Sequence, residues 1–137
     1  MIRVLKYILN APYTAVGLLN LLFCVPYKLS FAKDALVFTC LTCGLAHVYG
    51  LGVRGFATGN IAVVRRGQGQ NIIDHELVHI EQYMRHPFIF GFLYLWESRR
   101  GYWKNKFEAE AYDRTNTWPN KAHIGHISPQ EYNSLKS

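Results

Sequence analysis

The sequence predicts an α+β fold: a short mixed β-sheet packed on a pair of helices, preceded by a hydrophobic helix. Three observations predict it. Residues 75–79 read His-Glu-Leu-Val-His inside a segment whose apolar positions recur at helical spacing. Two apolar, partly β-branched runs, residues 35–42 and 61–64, precede that segment and are bounded by turn residues. No charged residue occurs from Tyr7 to Tyr27.

At 137 residues the chain fits one domain, residues 1–137, large enough for a core without disulfide or metal staples. Half of its residues are hydrophobic and 15% are aromatic, which excludes intrinsic disorder. Residues 1–30 are expected as the hydrophobic helix, with Pro12 in its first turn and Pro26 ending it after Val25. Arg3 and Lys6 precede the charge-free run and Lys28 follows it, so its length also suits a membrane span or signal anchor. Asn10, Pro12, Asn20 and Pro26 interrupt it, and no small-residue cleavage site stands out, which argues against a cleaved signal peptide. A membrane-embedded or interface-lying helix and a buried core helix are the readings that remain, corresponding to a membrane-associated or a cytoplasmic protein.

Residues 31–34 read as a polar break and residues 35–66 as strands. No Asp, Glu, Lys or Arg occurs from residue 35 to residue 53, but the glycines at 44, 50, 52, 55 and 59 favour strands and turns over a second long helix. Cys40 and Cys43 form a CxxC with no second pair and no histidines at finger spacing. In so apolar a run they read as buried free thiols, with a reducing compartment the mild inference.

The metal-binding helices are expected within residues 71–117. The first runs from Asn71, a suitable N-cap, to His86, where Pro87 stops it. Ile72, Ile73, Leu77, Ile80, Tyr83 and Met84 make its apolar face; His75, His79, Gln82 and His86 make its polar one. Residues 88–96 form a short apolar helix, too short to span a bilayer. A basic, aromatic turn follows at 98–103, and Asn105 opens the last helix. The tail, residues 118–137, carries Pro119 and Pro129 and little periodicity.

Positions i and i+4 of a helix lie one turn apart on one face, so His75 and His79 can reach a single ion. Glu76 lies beside that face, placed to take a proton from an ion-bound water. Zn2+ suits two neutral imidazoles, a third protein ligand and an open position. The ordinary reading of the same spacing is a polar helix face with no ion. Glu97, Glu108, Glu110, Asp113, His123 and His126 are the downstream candidates for a third ligand. Glu108 and Glu110 point roughly 200° apart on a helix, so at most one faces the ion. His86 reads more simply as a cation at a helix end. Tyr102 and Tyr112 are candidates to stabilise an oxyanion, although aromatics here more often fill a core.

The run His75-Glu76-Leu77-Val78-His79-Ile80-Glu81-Gln82, followed by Phe107-Glu108-Ala109-Glu110-Ala111, resembles the gluzincin metallopeptidases. It is similar to small bacterial zincins of unknown function with an HExxHxxQ helix and a later FExEA helix. The CAAX-prenyl-protease group has a related ending, a glutamate followed three and four positions later by Ala and Asp, and that glutamate is its third zinc ligand. The resemblance spans roughly residues 60–115. It implies a zincin-like fold, zinc held by His75, His79 and Glu108, and hydrolysis of a peptide or protein substrate with Glu76 as base and then acid. Ala111 matches the pattern, but Tyr112 stands where the aspartate is expected and Asp113 comes one step late. Since that aspartate orients a ligand histidine, Asp113, Asp74 or Glu110 would have to replace it. The metzincin ending is absent, with Gln82 and Arg85 at the positions of its glycine and histidine. Residues 61–64 are expected as the strand that binds peptide by edge pairing.

The formal charge of +6 suits anionic lipid, nucleic acid or simple solubility. The cations Arg99, Arg100, Lys104 and Lys106 alternate with Trp96, Tyr102 and Trp103, a mixture that suits a membrane surface. It also suits single-stranded nucleic acid, the weaker reading. The alternative to a peptidase is a non-catalytic zinc-binding module, membrane-peripheral or part of an assembly.

Overall fold

Apolar strands and glycine-bearing turns build a four-stranded mixed sheet. The computed structural model describes residues 2–42, 44 and 54–117. Its strands are β1 (Pro26–Ala32), β2 (Ala35–Cys40), β3 (Gly55–Thr58) and β4 (Ile61–Arg65), in the spatial order β1-β2-β4-β3. β1 and β2 form an antiparallel hairpin around Lys33-Asp34, β3 and β4 form a second, and β2 runs parallel to β4. Gly59 takes the positive φ (60°) that a two-residue hairpin turn needs at its first central position. Four α-helices complete the α+β architecture among the described residues: α1 (Arg3–Asn20), α2 (Gln70–Arg85), α3 (Phe90–Ser98) and α4 (Lys106–Thr115).

β4 has a partner strand on each edge and a helix on each face, so Ile61, Ala62, Val63 and Val64 are at most 1% exposed. Ile61 and Val63 belong to the cluster with Cys24 and Cys40, flanked by Leu21, Leu36, Phe38 and Phe56. Ala62 faces the other way, toward Ile80 of α2, together with Ala35 and Val37. Small side chains on that face let α2 approach the sheet closely. A third cluster, Tyr83, Phe90 and Phe107, joins α2, α3 and α4 edge to face, with ring centroids 4.5 and 4.9 Å apart. It anchors the end of α2 beside the start of α4.

α1 packs on the sheet through small and polar residues. A Cβ at Gly17 would meet the Ile61 Cβ at 2.8 Å and the Thr58 Cγ2 at 2.9 Å. Buried Asn10 donates to the Tyr83 carbonyl (3.2 Å) and accepts from the Phe88 amide (3.3 Å).

Several expectations change. α1 starts at Arg3, not Pro12, so the proline lies inside the helix. Tertiary bonds at Asn10, Tyr13 and Thr14 offset the ~3 kcal/mol that an internal proline costs. The helix ends at Asn20, and β1 occupies residues expected to end the helix and form a polar break. Pairing of Leu29 with Phe38 and of Phe31 with Leu36 explains why those residues are extended. Residues 61–64 form a central strand, so they offer no edge for a peptide; β3 holds that edge of the sheet.

The cap of α2 is Gly69 rather than Asn71. α3 begins at Phe90 because Phe88 takes a left-handed φ of 68°, held by its amide bond to Asn10 and the Tyr13 hydroxyl on its carbonyl. Cys43, His123, His126 and residues 118–137 lie outside the described residues. Among those described, no helix is long and apolar enough to cross a membrane.

Candidate metal centre

The stripe of α2 expected to be its polar face is buried. Ile73, Leu77 and Ile80 pack toward the sheet. His75, His79 and Gln82 are enclosed, and so is Glu76, at exposures of 6% or less. Burying polar groups is tolerable where they find partners, and α4 supplies them to His75 Nε2, His79 Nε2 and Gln82. Asn105 caps α4 by accepting from the Phe107 amide (2.9 Å) and donates to the Tyr94 carbonyl (3.2 Å) and Ser98 hydroxyl (3.0 Å) of α3. That cap locks the first turn of α4, which carries Glu108, against α3.

His75, His79 and Glu108 each offer a ligand atom, all within 4.8 Å of one another, and such a buried group can hold a metal ion. His75 Nε2 lies 3.2 Å from Glu108 Oε2, His79 Nε2 lies 3.4 Å from Glu108 Oε1, and the two Nε2 atoms are 3.3 Å apart. Glu108 also accepts from the Tyr94 hydroxyl (2.5 Å) and the Tyr102 hydroxyl (3.0 Å). Glu110 turns the other way, accepting from Gln82 Nε2 (2.9 Å) and from Arg85 (2.8 Å). Among the remaining candidates, Glu97 pairs with Arg100 and Lys106, and Asp74 accepts from Gln70. Asp113 is exposed.

The hydrogen bonds assign the His79 tautomer. Gln82 Nε2 donates to the Phe107 carbonyl (3.0 Å) and to Glu110, so its Oε1 faces His79 Nδ1 at 2.8 Å and must accept. Nδ1 therefore carries a proton, and Nε2 is the atom left to bind an ion. Gln82 thus does for His79 what the missing aspartate would do for a ligand histidine. Tyr112, at the position of that aspartate, lays its ring 4.4 Å from the His75 ring. His75 Nδ1 has no hydrogen-bond partner among the described residues.

The charges of the cluster centre on Glu108. Burial pushes the Glu76 carboxyl up to about 8, with His79 pulling it down and Glu108 pushing it further up. Burial acts against a charged His79, but Glu108 and Glu76 bring it up to about 9. Burial also opposes charge on Glu108, yet bonds from His75, His79 and Tyr94 hold it well below the usual carboxylate range. Tyr94 and Tyr102 are pushed far up by burial and the Glu108 charge, so they stay neutral donors. Glu108 is thus an enclosed carboxylate between two imidazoles, a donor set that suits a divalent cation once His79 gives up its Nε2 proton.

β3 passes beside Glu76. A Cβ at Gly55 would lie 3.0 Å from Glu76 Oε1 and from the Val63 carbonyl oxygen and 3.2 Å from Glu76 Cγ, so a larger residue there would press on the carboxylate. Gln82 reads from the sequence as either a cleft-lining or a solvated helix residue, and the structure buries it against His79. One contributor escaped the sequence reading. Tyr94 carries no sequence signal, because its approach to Glu108 depends on how α3 packs. Comparisons of the chain with family models, with curated proteins and with solved structures found no match.

Proposed function

We propose that the protein is a zinc-dependent metallopeptidase of the gluzincin type, with a zincin-like fold, in which His75, His79 and Glu108 hold the metal. The observation that carries this reading is the buried convergence of the three groups: the two Nε2 atoms lie 3.3 Å apart, with Glu108 Oε2 3.2 Å from His75 and Glu108 Oε1 3.4 Å from His79. Tetrahedral zinc with ligands at ~2.0–2.1 Å holds them ~3.3 Å apart. Bound zinc would polarise a carbonyl and lower the pKa of a water toward ~7.

Glu76 takes a proton from the attacking water and later delivers it to the leaving amine nitrogen. Burial raises its affinity for the proton it takes, and a neighbouring cation would keep it ionised for that task. Tyr94 and Tyr102 keep Glu108 ionised and oriented. The edge of β3 beside Glu76, unpaired among the described residues, suits an extended peptide added as a further strand.

Glu76→Gln keeps the shape of the side chain but removes the base. Turnover of a peptide library should fall to the uncatalysed level while zinc content stays at the wild-type value. Unchanged turnover in that variant would refute the mechanism.

One observation favours a second reading, a non-catalytic zinc-binding module: Tyr112 replaces the aspartate and leaves His75 Nδ1 unbonded among the described residues. Zinc binding with no chelator-sensitive proteolysis in the wild-type protein would select it.

A further inference from the structure

α1 is built inside out. The residues it buries are Asn10, Gly17 and Asn20. Its apolar residues face away from the sheet, with Val4 63%, Ile8 61%, Val16 58%, Leu19 61% and, just beyond the helix, Leu22 77% exposed. Water is a poor neighbour for such a stripe, and contiguous apolar surface of this kind marks a binding face.

Elements bonded to α1 carry exposed apolar residues of their own. At its start, Arg3 and Tyr7 bond Asp34 in the β1–β2 turn. Beside that turn Phe31 is 77% exposed, opposite Leu36 on the α1 side of the sheet. At mid-helix, Asn10 and Tyr13 bond Phe88. From there Phe88, Phe92, Leu95 and Trp96 form an exposed stripe along α3 at helical spacing.

We propose that this face docks on the surface of an anionic lipid bilayer. Charge argues for that occupant. No Asp or Glu occurs from residue 1 to residue 33 or from residue 87 to residue 96. Among the described residues the carboxylates beside the stripe are paired: Asp34 is tied to Arg3 and Tyr7, and Glu97, next to Trp96, to Arg100 and Lys106. Cations stand at the rim: Lys6 on α1, and Arg99 and Arg100 at the end of α3. The Arg99 guanidinium lies 4.4 Å over the Trp96 ring, the pairing of aromatic body and cationic head that settles at headgroup depth. No described helix is long and apolar enough to cross the bilayer, and on this proposal α1 lies in the interface. α3 links this face to the metal centre, since Tyr94 reaches inward to Glu108 while Leu95 and Trp96 face out. The inference does not depend on catalysis.

The test is sedimentation of the full chain with vesicles of phosphatidylcholine, with and without phosphatidylglycerol. The protein is expected to pellet with the anionic vesicles, with affinity at least about tenfold lower for the neutral ones. Leu19→Glu and Leu95→Glu, both at exposed positions, should each lower anionic-vesicle binding about tenfold while thermal unfolding and zinc content stay unchanged. Wild-type protein that stays in the supernatant with both vesicles overturns the proposal. So does a double variant that binds as wild type does. A dimer that these substitutions dissociate, with no vesicle binding, would assign the face to a second copy and also overturn it.

Discussion

At His79 one neighbour decides what each ring nitrogen does. Gln82, fully buried, spends its amide hydrogens on Phe107 and Glu110 and leaves only an oxygen for Nδ1. Gln82→Leu keeps the volume but removes that acceptor, so the imidazole loses both its tautomer and its orientation. Zinc affinity, read by competition with a chromophoric chelator, should fall by ~10–100-fold; unchanged affinity would mean that Gln82 is a packing residue only. His75, Glu76 and His79 were legible in the sequence because helix geometry alone brings i and i+4 together. Glu108 and Glu110 could be separated by helix geometry only as far as "one or the other". The resemblance chose Glu108, and the physical reason lies in the tertiary position of α4, which Asn105 sets by bonding α3. The Tyr94 and Tyr102 bonds to Glu108 depend on the same packing.

Helices and strands were legible where period and length agreed, as in α2 and β4. They were not where tertiary pairing overrode a local signal: Pro12 lies inside α1, and Pro26 opens β1 rather than ending a helix. The α1–sheet contact has its own signature at Gly17. In an exposed helix Gly→Ala is worth ~1 kcal/mol in favour of folding. Here the added methyl would press on Ile61 and Thr58, at 2.8 and 2.9 Å. Gly17→Ala should therefore destabilise by ~1–3 kcal/mol in urea unfolding; a stabilised variant would show that α1 does not sit flush on the sheet.

The tie between α1 and the β1–β2 turn should respond to pH. Burial works against the Asp34 charge, but Tyr7 and Arg3 more than offset it and hold the carboxyl below its ordinary 3.8. A depressed carboxyl stabilises the fold above its ordinary value, and that contribution is lost as pH falls through the folded-state value. Asp34→Asn should be less stable than wild type near neutral pH, and the gap should close below about pH 3.8. A gap that persists unchanged into acid would show that charge at Asp34 is not what holds the turn.

At the scale of the molecule, the sheet covers one face of α2 while α3 and α4 enclose the other, and the enclosed face is ionic rather than oily. A cluster of His75, Glu76, His79 and Glu108 at 4–6% exposure is an expensive way to fill an interior unless something binds there. Zinc binding by the folded chain alone would also stabilise it, by ~4 kcal/mol at a thousandfold excess over Kd. Metal analysis of the purified wild-type protein beside His79→Ala and Glu108→Ala tests the account most directly. Stoichiometric zinc in wild type, lost in both variants, is the expected result; wild type without stoichiometric metal, or a Glu108→Ala protein that retains it in full, would contradict the account.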